Sequence, residues 1–441
     1  MAQATVHFPR GFLWGTATAA HQVEGNNTNN SWYRWEQNGH IADQAGLACD
    51  WWGGSWKEDM DRAAETSHNA LRFSVEWSRI QPEPERWDED ALERYRMMAR
   101  GMVERGITPL VTLHHFSDPL WLYDRCGWEM PGIAPAFEKY ARKVVEALKE
   151  YVTTWVTINE PNLYALNGYV TGAFPGCAQG FGAALRVLAN LLRGHAAAYR
   201  AIHEIQPEAR VGYALHYRPM VAARPWFPLD VLMRNIQYAG VNMAFPSAIS
   251  SGVMKSPMGN VRIPEVKGLQ DYLGINYYSV DTIKFDITNR KELFGKRYYP
   301  AGSDLSTTQF IANTPNGLFD TLKWATTTYP NLPLLVTENG VEDDDDKMRP
   351  RYIAQHVHQM WRAVNYNWPV KGYFYWTLVD NFEWERGWTQ RFGLWGLDRE
   401  TQARTRRSSA DLYSDICTEN GLSSGMVAKY CPEVLQKIFP D

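Results

Sequence analysis

The stretch Trp155-Val156-Thr157-Ile158-Asn159-Glu160-Pro161 is a short apolar run that ends abruptly in polar residues and a proline. A run of this length, bounded in this way, is typical of a buried strand. Seven similar runs recur along the chain. The eight predicted strands are Phe12–Thr16, Ala70–Val75, Thr108–Leu113, Trp155–Ile158, Val211–Leu215, Tyr272–Asn276, Leu334–Thr337 and Gly372–Trp376.

Amphipathic stretches between the strands predict helices at 56–66, 88–105, 134–150, 183–205, 316–328 and 351–366, with a closing helix at 405–416. The Pro/Met-rich segment 217–268 is predicted to be a loop with a short helix. Strands alternating with helices indicate βα units and a parallel sheet. Eight such units predict an α/β fold, a single (β/α)₈ TIM barrel. Without a linker to divide it, the chain is expected to be one domain over 1–441, with 422–441 as a C-terminal surface tail.

Composition argues against several classes of partner. The sequence contains no run of about 18 uncharged apolar residues, so no membrane span is expected. Lys and Arg total 45 against 49 Asp and Glu, which lacks the basic excess of a nucleic-acid-binding protein. We therefore expect a small-molecule partner, with neither nucleic acid nor membrane.

The cysteines and the N-terminus bear on the cellular compartment. Five cysteines, at positions 49, 126, 177, 417 and 431, are an odd number without a C-x-x-C pair, which favours reduced thiols. The first ten residues lack the basic and apolar regions of a secretory signal. The expected location is the cytoplasm.

Two strand ends carry the residues that point to chemistry. In a barrel of this kind, the carboxyl ends of the strands face the active-site mouth. Strand four ends in Asn159-Glu160, and strand seven is followed by Glu338-Asn339-Gly340. A lone strand-end glutamate is more often a structural ion-pair partner. Two carboxylates on different strands are the groups that cleave a glycosidic bond, because one protonates the leaving oxygen while the other attacks or stabilises the sugar carbon.

Together the motifs resemble those of the glycoside hydrolase family 1 β-glycosidases, over nearly the whole chain. The motifs that carry the resemblance are Phe8–Gly25, Leu71–Ile80, the His115 segment, Asn159-Glu160-Pro161, Asn276-Tyr277-Tyr278, Thr337-Glu338-Asn339-Gly340 and Trp376–Trp384. The resemblance implies hydrolysis of terminal β-D-glucosides, β-D-galactosides and β-D-fucosides, including oligosaccharides, without a cofactor or metal.

The resemblance also implies a retaining mechanism, in which Glu160 is the acid/base and Glu338 the nucleophile that forms a covalent glycosyl-enzyme. In that mechanism Glu160 is protonated at rest, which a desolvated site facing a second carboxylate achieves by raising its pKa. Glu338 must stay ionised.

Further roles are carried over from the family pattern. Arg72 and Tyr278 match positions that contact the nucleophile, and Asn276 is expected to support it as well. Asn159 matches the residue that binds the sugar 2-OH, and Trp376 the floor on which the sugar stacks. Taken alone, His115 and Trp376 are equally typical of a core. The expected substrate-binding set is Gln22, His115, Asn159, Tyr278, Trp376, Glu383 and Trp384.

The sequence departs from the family in two places. Many members carry a Trp four residues before the Pro-x-Gly that opens the helix after strand six, where this chain reads Phe310-Ile311-Ala312-Asn313-Thr314-Pro315-Asn316-Gly317. This leaves the aglycone preference open. Members that act on phosphorylated sugars carry a Ser, Lys and Tyr set after the last strand, whereas this chain has Glu385–Gly393, preceded by Glu383. Unphosphorylated sugars are therefore expected.

Three alternatives remain at the level of sequence. A non-catalytic sugar-binding barrel would have lost one carboxylate, yet both are present. A metal-dependent barrel would need three or four converging ligands, whereas the strand-end glutamates are accompanied by Asn, Arg and Tyr. A transglycosylase would use the same residues and differ only in whether water or a sugar intercepts the intermediate.

Overall fold

A closed barrel of eight parallel strands forms the centre of the computed structural model, which describes residues 4–177 and 179–440. The strands pair in the order β6-β7-β8-β1-β2-β3-β4-β5, and β5 closes the ring against β6. Their bounds are β1 Leu13–Ala17, β2 Ala70–Ser74, β3 Thr108–His114, β4 Thr154–Asn159, β5 Arg210–His216, β6 Tyr272–Asn276, β7 Leu334–Asn339 and β8 Val370–Tyr375. The predicted (β/α)₈ fold is confirmed.

Burial explains why these runs are continuously apolar instead of alternating. Both faces of a parallel barrel strand are covered, by the barrel interior and by the outer helices. All five residues of β2 are buried, and so is every residue of β3 after Thr108. The polar residues that interrupt the runs therefore fall at the strand ends, where the barrel opens.

The helices of the described residues surround the barrel or cap its ends. Those predicted from the sequence lie within three residues of the expected bounds. The helices are α1 Ala20–Val23, α2 Ser31–Gln37, α3 Trp56–Glu65, α4 Trp77–Ile80, α5 Glu89–Glu104, α6 Leu120–Tyr123, α7 Ile133–Leu148, α8 Pro161–Leu166, α9 Phe181–Ile205, α10 Pro228–Asn242, α11 Ala244–Ser251, α12 Pro315–Thr328, α13 Arg349–Asn365, α14 Ser408–Glu419, α15 Ser424–Tyr430 and α16 Leu435–Ile438.

The prediction for 217–268 was wrong in extent. Two helices of 15 and 8 residues, α10 and α11, occupy much of this segment. Pro228 stands at the first position of α10, where its missing N–H costs no helical hydrogen bond. Met233 of α10 packs against Met220 and Ile283 in a small hydrophobic cluster apart from the main core.

Short strands outside the barrel form small sheets of two or three strands. They are Thr5–His7, Met220–Ala222, Val253–Met254, Val261–Arg262, Asp281–Phe285, Gly295–Tyr298, Asp304–Leu305, Ala312–Asn313, Trp395–Leu397, Arg404–Arg406 and Gly421–Ser423.

None of the helices in the described ranges combines the length and the apolar character needed to cross a bilayer.

The last twenty residues were expected to be a surface tail. Gly421–Ser423 pairs antiparallel with Thr5–His7, and Leu422, Val427 and Cys431 are buried. The two ends of the described chain are thus fastened to each other. That the whole chain is one domain stays a prediction.

Asn420 joins these ends and gives a test of the closure. Its backbone is left-handed (φ 49°), its Nδ2 donates to Phe8 O at 2.8 Å, and its Oδ1 accepts from Trp14 Nε1 at 2.9 Å. We expect Asn420→Ala to lower the free energy of unfolding by about 2–3 kcal/mol, because two buried groups lose their partner and alanine disfavours this conformation.

Asn420→Gly is the matched control, since glycine accepts the left-handed backbone but makes neither hydrogen bond. Thermal and urea unfolding should rank the proteins as wild type, then Asn420→Gly, then Asn420→Ala. Equal stability of all three would contradict the role of Asn420.

Candidate active site

A cleft of ≈ 1070 Å³ opens at the carboxyl ends of the barrel strands. It contains both strand-end glutamates: Glu338 on β7 and Glu160, which directly follows β4. The predicted residues that line it are Glu160, Glu338, His115, Tyr278, Trp376, Glu383 and Trp384. The others, Gln22, Arg72, Asn159 and Asn276, are fully buried and hydrogen-bond directly to lining residues.

Glu338 is held by two donors, one on each carboxyl oxygen. Arg72 Nη1 donates to its Oε1 at 2.6 Å, and the Tyr278 hydroxyl donates to its Oε2 at 2.8 Å. Arg72 on β2 is fully buried, and Glu338 is only 3% exposed. Two donors on the two oxygens suit an ionised carboxylate.

The same guanidinium organises the neighbouring strand ends. Arg72 Nη2 donates to Asn159 Oδ1 at 2.7 Å, and Arg72 Nε donates to Thr112 Oγ1 at 3.0 Å. Asn159 Nδ2 lies 2.9 Å from His115 Nε2. Burial is the main cause that lowers the pKa of His115 well below its ordinary value, so its imidazole is neutral and can accept this bond.

Glu160 stands at the turn between β4 and α8 in a left-handed conformation, with φ 43° and ψ 56°. Pro161 begins α8 at the position where proline is best tolerated. Non-glycine residues in this backbone region cost free energy and cluster at functional sites. The turn directs the Glu160 carboxyl into the cleft, where it is 4% exposed.

Asn276 makes a different contact from the one expected. It was predicted to support Glu338, but its Nδ2 donates to Glu160 Oε1 at 2.7 Å and to Asn159 Oδ1 at 3.0 Å. The reason is Thr337, whose hydroxyl donates to Asn276 Oδ1 at 2.7 Å and so directs the amide nitrogen toward Glu160.

His216 was not singled out from the sequence. Its Nδ1 lies 3.0 Å from Glu160 Oε1, and its ring stacks on Tyr278 with centroids 5.8 Å apart. His216 is the last residue of β5, one residue beyond the predicted end of that strand. The rule that identified the glutamates, a polar residue that closes an apolar run, would have found it.

Besides Glu160 and Glu338, the cleft holds Glu383 and the two tryptophans Trp376 and Trp384. Gln22 Nε2 donates to Glu383 Oε2 at 3.2 Å and to Phe382 O at 2.6 Å. Burial, then the neighbouring carboxylates Glu385 and Glu338, raise the pKa of Glu383 well above its ordinary value. Trp376 and Trp384 line the same side.

The carboxyl groups of Glu160 and Glu338 are electrostatically coupled. Burial raises the pKa of Glu338 to about 7, and the Glu160 carboxyl adds to the rise, while Arg72 and Tyr278 oppose it. The raised pKa of Glu338 therefore reflects its burial and the second carboxyl group nearby, against the two donors that stabilise its ionised form.

No group of three or more His, Cys, Asp or Glu side chains within the described ranges is arranged to hold a metal ion. The expectation that the protein works without a metal stays a prediction.

A parallel eight-stranded barrel with glutamates at the ends of its fourth and seventh strands defines a glycoside hydrolase site. The profile of glycosyl hydrolase family 1 matches residues 4–422. The chain belongs to this family, and it is a retaining β-glycosidase.

The relatives agree with this assignment over their full lengths. Beta-glucosidase A of Thermotoga maritima is 32% identical, with 94% of this chain and 98% of that protein covered. The beta-galactosidase of Saccharolobus solfataricus is 28% identical, with 94% and 96% covered. The solved structure of a beta-glycosidase from Pyrococcus horikoshii has a TM-score of 0.90 and 34% identity, with 97% of this chain and 98% of that chain covered.

Tyr278 gives a direct test of the site's electrostatics. Its hydrogen bond lowers the pKa of Glu338, so Tyr278→Phe should raise that pKa further, by about one pH unit if the bond has the usual strength for a charged acceptor. A ¹³C NMR titration of the labelled carboxyl measures this. Tyr277→Phe is the matched control, because the Tyr277 hydroxyl contacts Thr314 instead (3.0 Å to Oγ1). An unchanged titration in Tyr278→Phe would contradict the assignment.

Proposed function

We propose that this β-glycosidase hydrolyses terminal, non-reducing β-D-glucosides, β-D-galactosides and β-D-fucosides, with Glu160 as acid/base and Glu338 as nucleophile. The observation that carries the assignment of roles is the asymmetry between the two carboxyl groups. Glu338 accepts from Arg72 on one oxygen and from Tyr278 on the other. In Glu160, by contrast, the carboxyl hydrogen bonds within the described ranges all involve Oε1.

This asymmetry favours one allocation of the two roles. A proton on either oxygen of Glu338 would meet the hydrogen that Arg72 or Tyr278 already donates to that oxygen. A proton on Oε2 of Glu160 displaces no donor. Glu160 is therefore the acid and Glu338 the ionised nucleophile in the resting enzyme. This is the allocation that a retaining mechanism needs.

In the first step an oxygen of Glu338 bonds to the anomeric carbon as the glycosidic C–O bond breaks. The proton of Glu160 passes to the leaving oxygen, and the aglycone departs as an alcohol. In the second step Glu160, now ionised, takes a proton from water as the water oxygen bonds to the anomeric carbon, and the bond from that carbon to Glu338 breaks to release the Glu338 carboxylate. The two inversions give a β-configured sugar.

His216 and Asn276 position the acid/base through both steps. After the first proton transfer, the ionised Glu160 Oε1 accepts from Asn276 Nδ2 and from His216 Nδ1–H. These donors fix the carboxyl toward the leaving oxygen without occupying Oε2. The stack of His216 on Tyr278 keeps the imidazole in place beside the Glu160 carboxyl.

Glycone recognition is assigned to the opposite side of the cleft. Asn159 and His115 are proposed to contact the 2-OH and 3-OH side of the sugar, with Trp376 as the stacking floor. The two carboxyl oxygens of Glu383 suit hydrogen bonds to an axial or equatorial 4-OH and to a 6-OH. Glucosides, galactosides and fucosides all fit these groups. Unphosphorylated sugars are proposed, because the segment Glu385–Gly393 lacks the Ser, Lys and Tyr set of the members that act on phosphorylated sugars.

Small β-glycosides and oligosaccharides are the proposed partners, and the cytoplasm the proposed location. The free thiols of all five cysteines, at positions 49, 126, 177, 417 and 431, support a reducing compartment. Neither nucleic acid nor membrane is proposed as a partner.

Azide rescue tests the two roles. We expect Glu338→Gly to lose hydrolysis of 2,4-dinitrophenyl β-D-glucoside by at least about a thousandfold, because no other group supplies the covalent nucleophile. Added azide should restore turnover and give the α-glucosyl azide. Product configuration is read by ¹H NMR.

Glu160→Ala is the matched variant for this experiment. It keeps the nucleophile, so azide should intercept the glycosyl-enzyme and give the β-glucosyl azide. Wild-type hydrolysis by Glu338→Gly, or the same azide anomer from both variants, would refute the allocation.

A second prediction concerns Glu383 and the glycone. Glu383→Ala should lower kcat/KM for the nitrophenyl β-glucoside and β-galactoside by about one to two decades, since each loses a hydrogen bond to its 6-OH. The fucoside has no 6-OH and should lose less. Glu383→Gln, which keeps one donor and one acceptor, should be the milder change. An equal loss for the fucoside would exclude contact between Glu383 and the 6-OH.

A further inference from the structure

A second cavity lies beside the active-site cleft, and its empty volume is ≈ 840 Å³. Its walls come from α8, from the N-terminal part of α9, from α10 and from the loop at 256–258. The lining is mostly apolar. Its hydrophobic side chains include Phe181, Leu185, Leu188, Ile236, Val241 and Met258.

Two side chains belong to both spaces. Leu166, the last residue of α8, and Arg297 each line the cleft and the second cavity. Arg297 is held at this boundary by Glu292, with Nη2 at 2.8 Å from Oε1. The two spaces therefore meet at side chains, without a barrel strand between them.

The position of the acid fixes the direction in which an aglycone leaves the sugar. Glu160 protonates the oxygen that the aglycone carries, so the aglycone lies on the Glu160 side of the cleft. Glu160 immediately precedes α8, and Leu163 and Leu166 of that helix line the cleft. An aglycone longer than one ring or a few carbons is thus directed along α8 toward Leu166 and the second cavity.

We propose that this cavity binds the hydrocarbon chain of amphiphilic β-glycosides, with an unbranched alkyl chain as the simplest occupant. The proposal rests on the proposed function, because it needs Glu160 as the acid. Over most of this lining, which is apolar, a sugar hydroxyl would find no hydrogen-bond partner, whereas a methylene chain loses only water there. Met258 is 47% exposed at the edge of the cavity, so long chains have an outlet to solvent.

Gly240 on α10 offers a way to fill the cavity without touching the catalytic residues. It lines the cavity, and a Cβ added there would meet nothing closer than Pro257 Cγ and Cδ, at 3.9 Å. Pro257 is itself a lining residue, so a larger side chain at position 240 enters the same space. Gly240→Phe should block the cavity, and Gly240→Ala is the matched control that adds one methyl group.

The test compares kcat/KM for methyl through decyl β-D-glucosides, below their micellar concentrations, with 4-nitrophenyl β-D-glucoside. In the wild type we expect a rise of about threefold for each methylene that enters the cavity. Gly240→Phe should abolish this rise, Gly240→Ala should keep it, and both should hydrolyse the nitrophenyl substrate as the wild type does. A flat profile in the wild type, or an unchanged slope in Gly240→Phe, would overturn the proposal.

Competitive inhibition of the wild type by S-alkyl thioglucosides provides a second measurement that does not depend on folding of the Phe variant. The inhibition constant should fall by a similar factor per methylene, and independence of chain length would overturn the proposal. The two proposals fail separately. No turnover of the nitrophenyl glucoside by the wild type would refute the proposed function, whereas turnover of it with a flat alkyl profile would refute only the cavity.

Discussion

The active site depends on one buried charge, the guanidinium of Arg72. Taking an ion out of water costs several kcal/mol, and only good hydrogen-bond geometry with an opposite charge offsets this cost. Arg72 bonds to Thr112, Asn159 and Glu338, so one side chain from β2 fastens the ends of β3, β4 and β7. The ion pair of Arg72 and Glu338 is therefore also a structural element of the barrel mouth. Removing either partner alone would leave a buried charge without compensation.

The sequence is sufficient to predict the strand ends, because a polar residue that interrupts an apolar run is visible in the letters and the barrel brings all such ends together. Glu160 and Glu338 were found in this way, and the same rule covers His216, which closes a strand one residue longer than its apolar run suggests. The direction of the Asn276 amide is a different matter. It is decided by the Thr337 hydroxyl across a strand pair, which no local pattern records. In 217–268, proline indicated a loop, but Pro228 occupies the one helical position where proline is harmless.

Acidic side chains accumulate in the cleft at a cost to the fold. Burial is the main cause that raises the pKa of Glu338, Glu383 and Glu385. A carboxyl whose pKa is raised in the folded state binds its proton more tightly there than in the unfolded chain, so its contribution to stability falls as the pH rises from the unfolded pKa to the folded one. These carboxyl groups therefore contribute less to the free energy of unfolding at neutral pH than at mildly acidic pH.

The short helix α8 connects Glu160 to the cavity proposed to bind the aglycone chain. Its first turn follows Glu160, and its last residue, Leu166, borders both the cleft and the apolar cavity. Asn162 Nδ2 fastens the helix by donating to His216 O at 2.7 Å and to Val241 O at 3.0 Å. Any change that tilts α8 would therefore also move Glu160 and the end of β5 that carries His216. Positions that line the cavity without bearing these bonds, such as Leu166 on α8 and Gly240 on α10, can change without disturbing this link.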